Sequence, residues 1–116
     1  MNNPSAQHRE KVFFRIIGFS LHDLEMLRIA IPDVVFEERQ RRGREDFVVS
    51  IELSSPEVCD HLRRVLIEDG SKPKVPYGLY VSLVTGRDSD GVSLQPFICD
   101  FWREIGGNLD FSFTVV

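Results

Sequence analysis

Cys59, Asp60 and His61 stand side by side, a thiol next to a carboxylate and an imidazole, the residue types of a cysteine nucleophile and its base. That chemistry needs the imidazole nitrogen within hydrogen-bond reach of the sulfur. The surrounding pattern predicts a helix, and on a helix residues i and i+2 leave on different sides. The triplet therefore reads as a packed cysteine beside Leu62 and Leu66, with His61 and Arg63 turned to solvent. His8, His22 and His61 are the only histidines. None stands four residues from another, as two zinc ligands on one helix face would, and no cysteine pair completes a site. Arg87-Asp88-Ser89-Asp90-Gly91 alternates acids before a glycine, like a fragment of a calcium loop. It lacks the later bidentate acid that closes such a loop, so a polar turn is expected. The glycines form neither a dinucleotide fingerprint nor a P-loop, and no G-x-S-x-G elbow is present. The sequence thus leads to a chain with no catalytic residues, no metal site and no cofactor.

A recognition chemistry is offered instead by Arg39-Gln40-Arg41-Arg42-Gly43-Arg44. Guanidinium forks grip carboxylates and phosphates bidentately. Glu37, Glu38, Glu45 and Asp46 flank the cluster, so a solvated, internally paired turn competes with a partner-binding tip. Fourteen basic against eighteen acidic residues leave a net charge of −4. Phosphate neutralisation wants the opposite sign, so nucleic acid is not the expected partner. The phenylalanines, Phe111 and Phe113 included, recur at strand or helix period and read as core. An RNA-binding sheet would instead interleave exposed aromatics with lysines.

These residues must be positioned by a short series of elements. Residues 1–11 are polar and read as a flexible tail. The run VFFRIIGF (residues 12–19) reads as a strand buried on both faces. Ser20 then caps a helix with Leu24, Leu27 and Ile31 at helical spacing, and Pro32 stops it. Residues 33–40 and 45–53 form a hairpin around the arginine turn; in the second strand Phe47, Val49, Ile51 and Leu53 share one face. Ser55-Pro56-Glu57 starts a helix running to about residue 69. A strand over residues 77–86 follows. A third helix begins near Ser93 and ends at Gly106-Gly107, and the last strand occupies residues 108–116.

The order β-α-β-β-α-β-α-β predicts one α+β domain over residues 12–116. It is a ferredoxin-like split βαβ plan with an added C-terminal helix and strand, helices covering one face of a mixed or antiparallel sheet. The N-terminus lacks the apolar stretch of a signal peptide, and no apolar run approaches the ~20 residues that span a bilayer. Two cysteines without a pairing motif suit a reducing compartment, so a cytoplasmic location is expected, with no membrane contact.

Three segments, FFRIIGFSLHDLEML, the helix after ELSSPEV, and DFWREIGGNLDFSFTVV, resemble a family of small bacterial domains of unknown function found near polymorphic-toxin genes. That family usually carries a tryptophan in its middle strands, whereas Trp102 lies in the third helix. The resemblance offers no catalytic residues. It implies an immunity-like protein that neutralises a cognate toxin by direct binding. Arg41, Arg42 and Arg44, the loop acids Asp88 and Asp90, and the exposed acids Glu57 and Asp60 are the expected partner-binding residues. The alternative is a small-ligand-binding regulatory domain acting as a homodimer through its C-terminal strand.

Overall fold

β1 (Arg9–Phe19) is the spine of a five-stranded sheet ordered β2-β3-β1-β4-β5, with β2 (Glu37–Gln40), β3 (Phe47–Glu52), β4 (Tyr77–Thr85) and β5 (Asn108–Val115). The computed structural model describes residues 8–70, 72–86 and 91–116. β1 runs antiparallel to β3 and β4, β2 runs antiparallel to β3, and β5 lies parallel to β4. The sheet is therefore mixed. Its first four strands follow the split βαβ plan, and α3 (Pro96–Ile105) with β5 is the addition. Among the described residues no helix is long and apolar enough to cross a membrane.

All three helices feed one core. α1 (Leu21–Ala30) contributes Leu24 and Leu27, α2 (Pro56–Arg63) contributes Cys59 and Leu62, and α3 contributes Ile98, Phe101 and Ile105. They meet Val12, Phe14, Ile16, Val49, Ile51, Leu79 and Val81 from alternate positions of the sheet. Phe14 stands at the centre, with the Phe101 ring edge-on at 5.7 Å and the Tyr77 ring at 5.9 Å. The intervening residues Phe13, Arg15, Ile17 and Tyr80 are only half-buried. β1 is thus packed on one face, not two, because among the described residues no second layer covers the other.

Several boundaries differ from the sequence expectation for local reasons. Residues 9–11, assigned to the tail, extend β1 by pairing with Val84, Leu83 and Ser82 of the long strand β4. β2 is short because the chain turns after Pro32. Val34 N–H donates to Ile31 O at 3.1 Å, and its side chain drops into the core instead of extending the strand. α3 starts at Pro96 and not near Ser93, since a residue before proline avoids the helical region and Gln95 is extended. The second helix continues as a π turn (Arg64–Glu68) in which Asp69 N–H donates to Arg64 O at 3.0 Å. That turn inserts one residue into the ladder and keeps Leu66 buried. Ser20 caps α1 as expected, accepting from Asp23 N–H at 3.1 Å, whereas Ser55 frames α2 without a side-chain hydrogen bond.

Candidate functional site

The arginine cluster closes the β2–β3 hairpin, and its turn is held by Arg41 N–H donating to Asp46 O at 2.9 Å and Arg44 N–H to Arg41 O at 3.0 Å. This register sets Arg41 against Asp46 as a fork: Nε and Nη2 each donate to one carboxylate oxygen at 2.6 Å. The fork lies across β1 where Gly18 makes a bulge at φ 90°. A side chain there would adopt a backbone that L residues rarely take, and its Cβ would sit 3.1 Å from Arg41 Nη2. The cluster therefore divides. Arg41 is committed to Asp46, while Arg44 is exposed and 3.7 Å from the same carboxylate. Arg42 is exposed as well. Glu38 pairs with Arg28 of α1 rather than with the cluster.

The hydrogen bond from Arg41 holds the Asp46 carboxyl below the usual carboxylate range, and the same contact keeps Arg41 protonated. As pH falls, the unfolded chain takes up the Asp46 proton before the folded chain does. Stability from this pair is therefore complete above the ordinary carboxylate range and is lost as pH falls through the depressed value. Asp46→Asn is expected to lower the melting temperature at neutral pH and to flatten the acid limb of its pH dependence. Thermal melts from neutral to strongly acidic buffer check this, and parallel curves for the two proteins would refute it.

The acids expected to bind a partner are scattered. Glu57 is exposed in the first turn of α2. Asp60 accepts from Arg63 at 2.7 Å, and Arg63 also donates to Glu104 of α3 at 2.6 Å. Asp60 thus belongs to a surface network tying two helices together. Arg63 and His61 are half-buried rather than turned to solvent. Asp88 and Asp90 lie outside the described residues. The structure brings Arg42 and Arg44 together at one tip and sets Glu57 and Asp60 on a separate helix.

An apolar surface that the sequence reading did not single out lies on α1. Leu21, Met26 and Ile29 point outward, and Val35 follows in the loop beyond. Leu21 shares a shallow depression with Gly43, Arg44 and Glu45 of the hairpin tip. The available signal was that α1 carries large apolar residues around most of its circumference, more than one buried stripe requires. Met26 also lines a groove of about 440 Å³ together with Leu27, Val65, Leu66, Lys72 and Lys74.

The open face of the sheet carries mixed charge. Arg15 lies 4.2 Å over the Tyr80 ring and 3.5 Å from Asp110, and Lys11 pairs with Glu52 at 3.7 Å. Phe111 and Phe113, read as core, are instead exposed on β5. Both cysteines are free; burial pushes the Cys59 thiol up to about 11, so it is a packed thiol at neutral pH. Among the described residues no group of histidines, cysteines and acids converges as a metal site. Compared with known proteins, the chain matches no family model, no curated protein and no solved structure.

Proposed function

We propose that this domain is a non-catalytic protein-binding module, and that its partner is a toxin it neutralises in the manner of a bacterial immunity protein. The observation that supports the binding role is the set of large apolar residues that α1 and the loop after it leave exposed. Leu21, Met26, Ile29 and the following Val35 are 53, 53, 73 and 90 % exposed, although the same helix already contributes Leu24 and Leu27 to the core. Large apolar residues left in water along one helix and the loop that follows favour a partner that removes them from it. Interfaces draw most of their energy from a few such anchors ringed by polar groups. The hairpin tip supplies part of that ring, and Arg42 and Arg44 offer forks for carboxylates of the partner. The toxin identity rests on the resemblance of the three sequence segments.

The test is paired capture from source cells with the wild-type chain and with Ile29→Glu, followed by a toxicity assay of what is captured. One stoichiometric partner is expected with the wild type, weakened by about tenfold or more in the variant. Its toxicity is expected to vanish at one equivalent of this chain. Equal capture by both chains would move the interface elsewhere, and undiminished toxicity would end the inhibitor reading. The groove beside Met26 and Val65 favours the second reading, a regulatory domain for a small ligand. Its volume of about 440 Å³ is that of a small-molecule site, and Lys72 and Lys74 suit an anion.

A further inference from the structure

The apolar and polar pattern of the last strand is the same in both directions. From Leu109 to Val115 the sequence runs Leu-Asp-Phe-Ser-Phe-Thr-Val, a pattern symmetric about Ser112: apolar, polar, Phe, Ser, Phe, polar, apolar. β5 has β4 on one side and, among the described residues, an open edge on the other. Val116 N–H donates to Thr85 O at 2.8 Å. Backbone groups alternate in direction along a strand, so the even-numbered residues of β5 bond to β4. Leu109, Phe111, Phe113 and Val115 direct their N–H and C=O outward.

The side chains of these four residues lie in register with Leu79, Val81, Leu83 and Thr85 of β4, on the helix-covered face. Those neighbours are buried, yet the four are 48, 55, 39 and 48 % exposed because the helix layer does not reach them. Edge strands are normally blunted with proline, lysine or a bulge. β5 has no proline and no lysine, its pairing to β4 is regular throughout, and its one charge is Asp110.

We propose that β5 pairs antiparallel with β5 of a second copy of this chain, about a two-fold axis through Ser112, joining two sheets into one. Phe111 then meets Phe113 of the second copy, and Leu109 meets its Val115. All four outward-facing residues of each strand enter two-way hydrogen-bonded pairs. An axis moved to Phe111 would leave Val115 opposite Gly107, outside the strand. Asp110 faces Thr114 and not its own equivalent, so no like charges oppose the pairing. An isologous contact requires the same patch to complement itself, which a palindromic strand does and an arbitrary partner strand does not need. The two-fold axis stands perpendicular to the sheet and preserves its faces. The apolar side chains of both strands therefore form one strip on the helix side. This surface differs from the α1 face, and the inference stands whether or not a toxin binds there.

Sedimentation equilibrium over a concentration series tests the pairing, with a mass rising toward twice 13.3 kDa. Phe111→Glu buries an unpaired charge and is expected to weaken association on the order of a hundredfold. Phe113→Pro removes an outward N–H that β4 does not use, and is expected to weaken it about tenfold while the circular dichroism is unchanged. Ser112→Cys in a Cys99→Ser chain is expected to cross-link on mild oxidation, because Ser112 faces its own equivalent across the axis. Thr114→Cys in the same background is expected not to cross-link. A monomer at every concentration, a dimer indifferent to both phenylalanine variants, or equal cross-linking at both cysteine positions would overturn the proposal. The cross-linking comparison stands even where Phe111→Glu fails to fold.

Discussion

Gly78→Ala is expected to cost at least about 3 kcal/mol of folding stability and to loosen β5 from the sheet. Ordinary reasoning about glycine gives the opposite sign. In a strand interior, alanine restricts the unfolded chain and commonly stabilises by about 0.4–1 kcal/mol. Here the space for a Cβ is already filled by backbone. It would lie 2.0 Å from Asn108 O and 2.5 Å from Asn108 N, where the chain leaves α3 and enters β5. A flexible side chain could swing away, but a carbonyl fixed between a helix end and a strand start cannot. Gly78 pairs with Asn108 at the first position of the β4–β5 ladder, so the strain falls where β5 begins. Urea unfolding measures the loss, and hydrogen exchange should show it concentrated in the β5 amides. Gly91→Ala is the control, since among the described residues nothing lies within 4 Å of a Cβ there. Equal stability of Gly78→Ala and wild type would refute the close approach.

The elements that could be read from the sequence are those whose signals are local. Pro56 after Ser55 marked the start of α2, and the alternation of Phe47, Val49 and Ile51 marked a half-buried strand, because capping geometry and period depend only on near neighbours. Phe111 and Phe113 show where this stops. Their alternation is as regular as that of β3, and it states correctly that the side chains share a face. Whether a helix covers that face depends on how far the layer above extends, which period does not encode. The same limit misassigned β1, whose continuous apolar run looks like a strand covered twice. Partly buried Phe13 and Ile17 satisfy that run as well as a second layer would.

The candidate site was legible in composition but not in pairing. Four arginines at a glycine turn are visible at once, and a hairpin tip is where they lie. That Arg41 is tied down and Arg42 is exposed follows from the hairpin register and from the bulge at Gly18, both tertiary facts. The exposed apolar residues of α1 were in plain view as Leu21, Met26 and Ile29. The helix and its C-cap also carry Leu24, Leu27 and Ile31, and a buried stripe explains only the second set. The surplus was the signal, and it needed only a count of apolar residues around the helix rather than along it.

Phe14→Ala is expected to cost about 3–5 kcal/mol, a large share of the 5–15 kcal/mol by which domains are stable. Phe14 is wholly buried at the middle of the central strand, with Phe101 of α3 edge-on and Tyr77 of β4 tilted beside it. Truncation removes a ring that three elements share and leaves a cavity that a paired strand cannot close. Part of the loss is specific to the ring contact. A double-mutant cycle with Phe101→Ala is expected to show a coupling of about 0.5–1.5 kcal/mol, the usual surplus of an aromatic pair over its buried area. Phe111→Ala supplies the contrast, for the sequence pattern places Phe14 and Phe111 alike. At concentrations where the chain is monomeric, Phe111→Ala is expected to cost well under half as much, because its 55 % exposed ring already faces water. Denaturant midpoints of the three single variants and the double variant decide the matter. Similar losses at Phe14 and Phe111 would mean that something covers β5 within a single copy of the chain, and the unpaired edge on which the two-fold pairing rests would not exist.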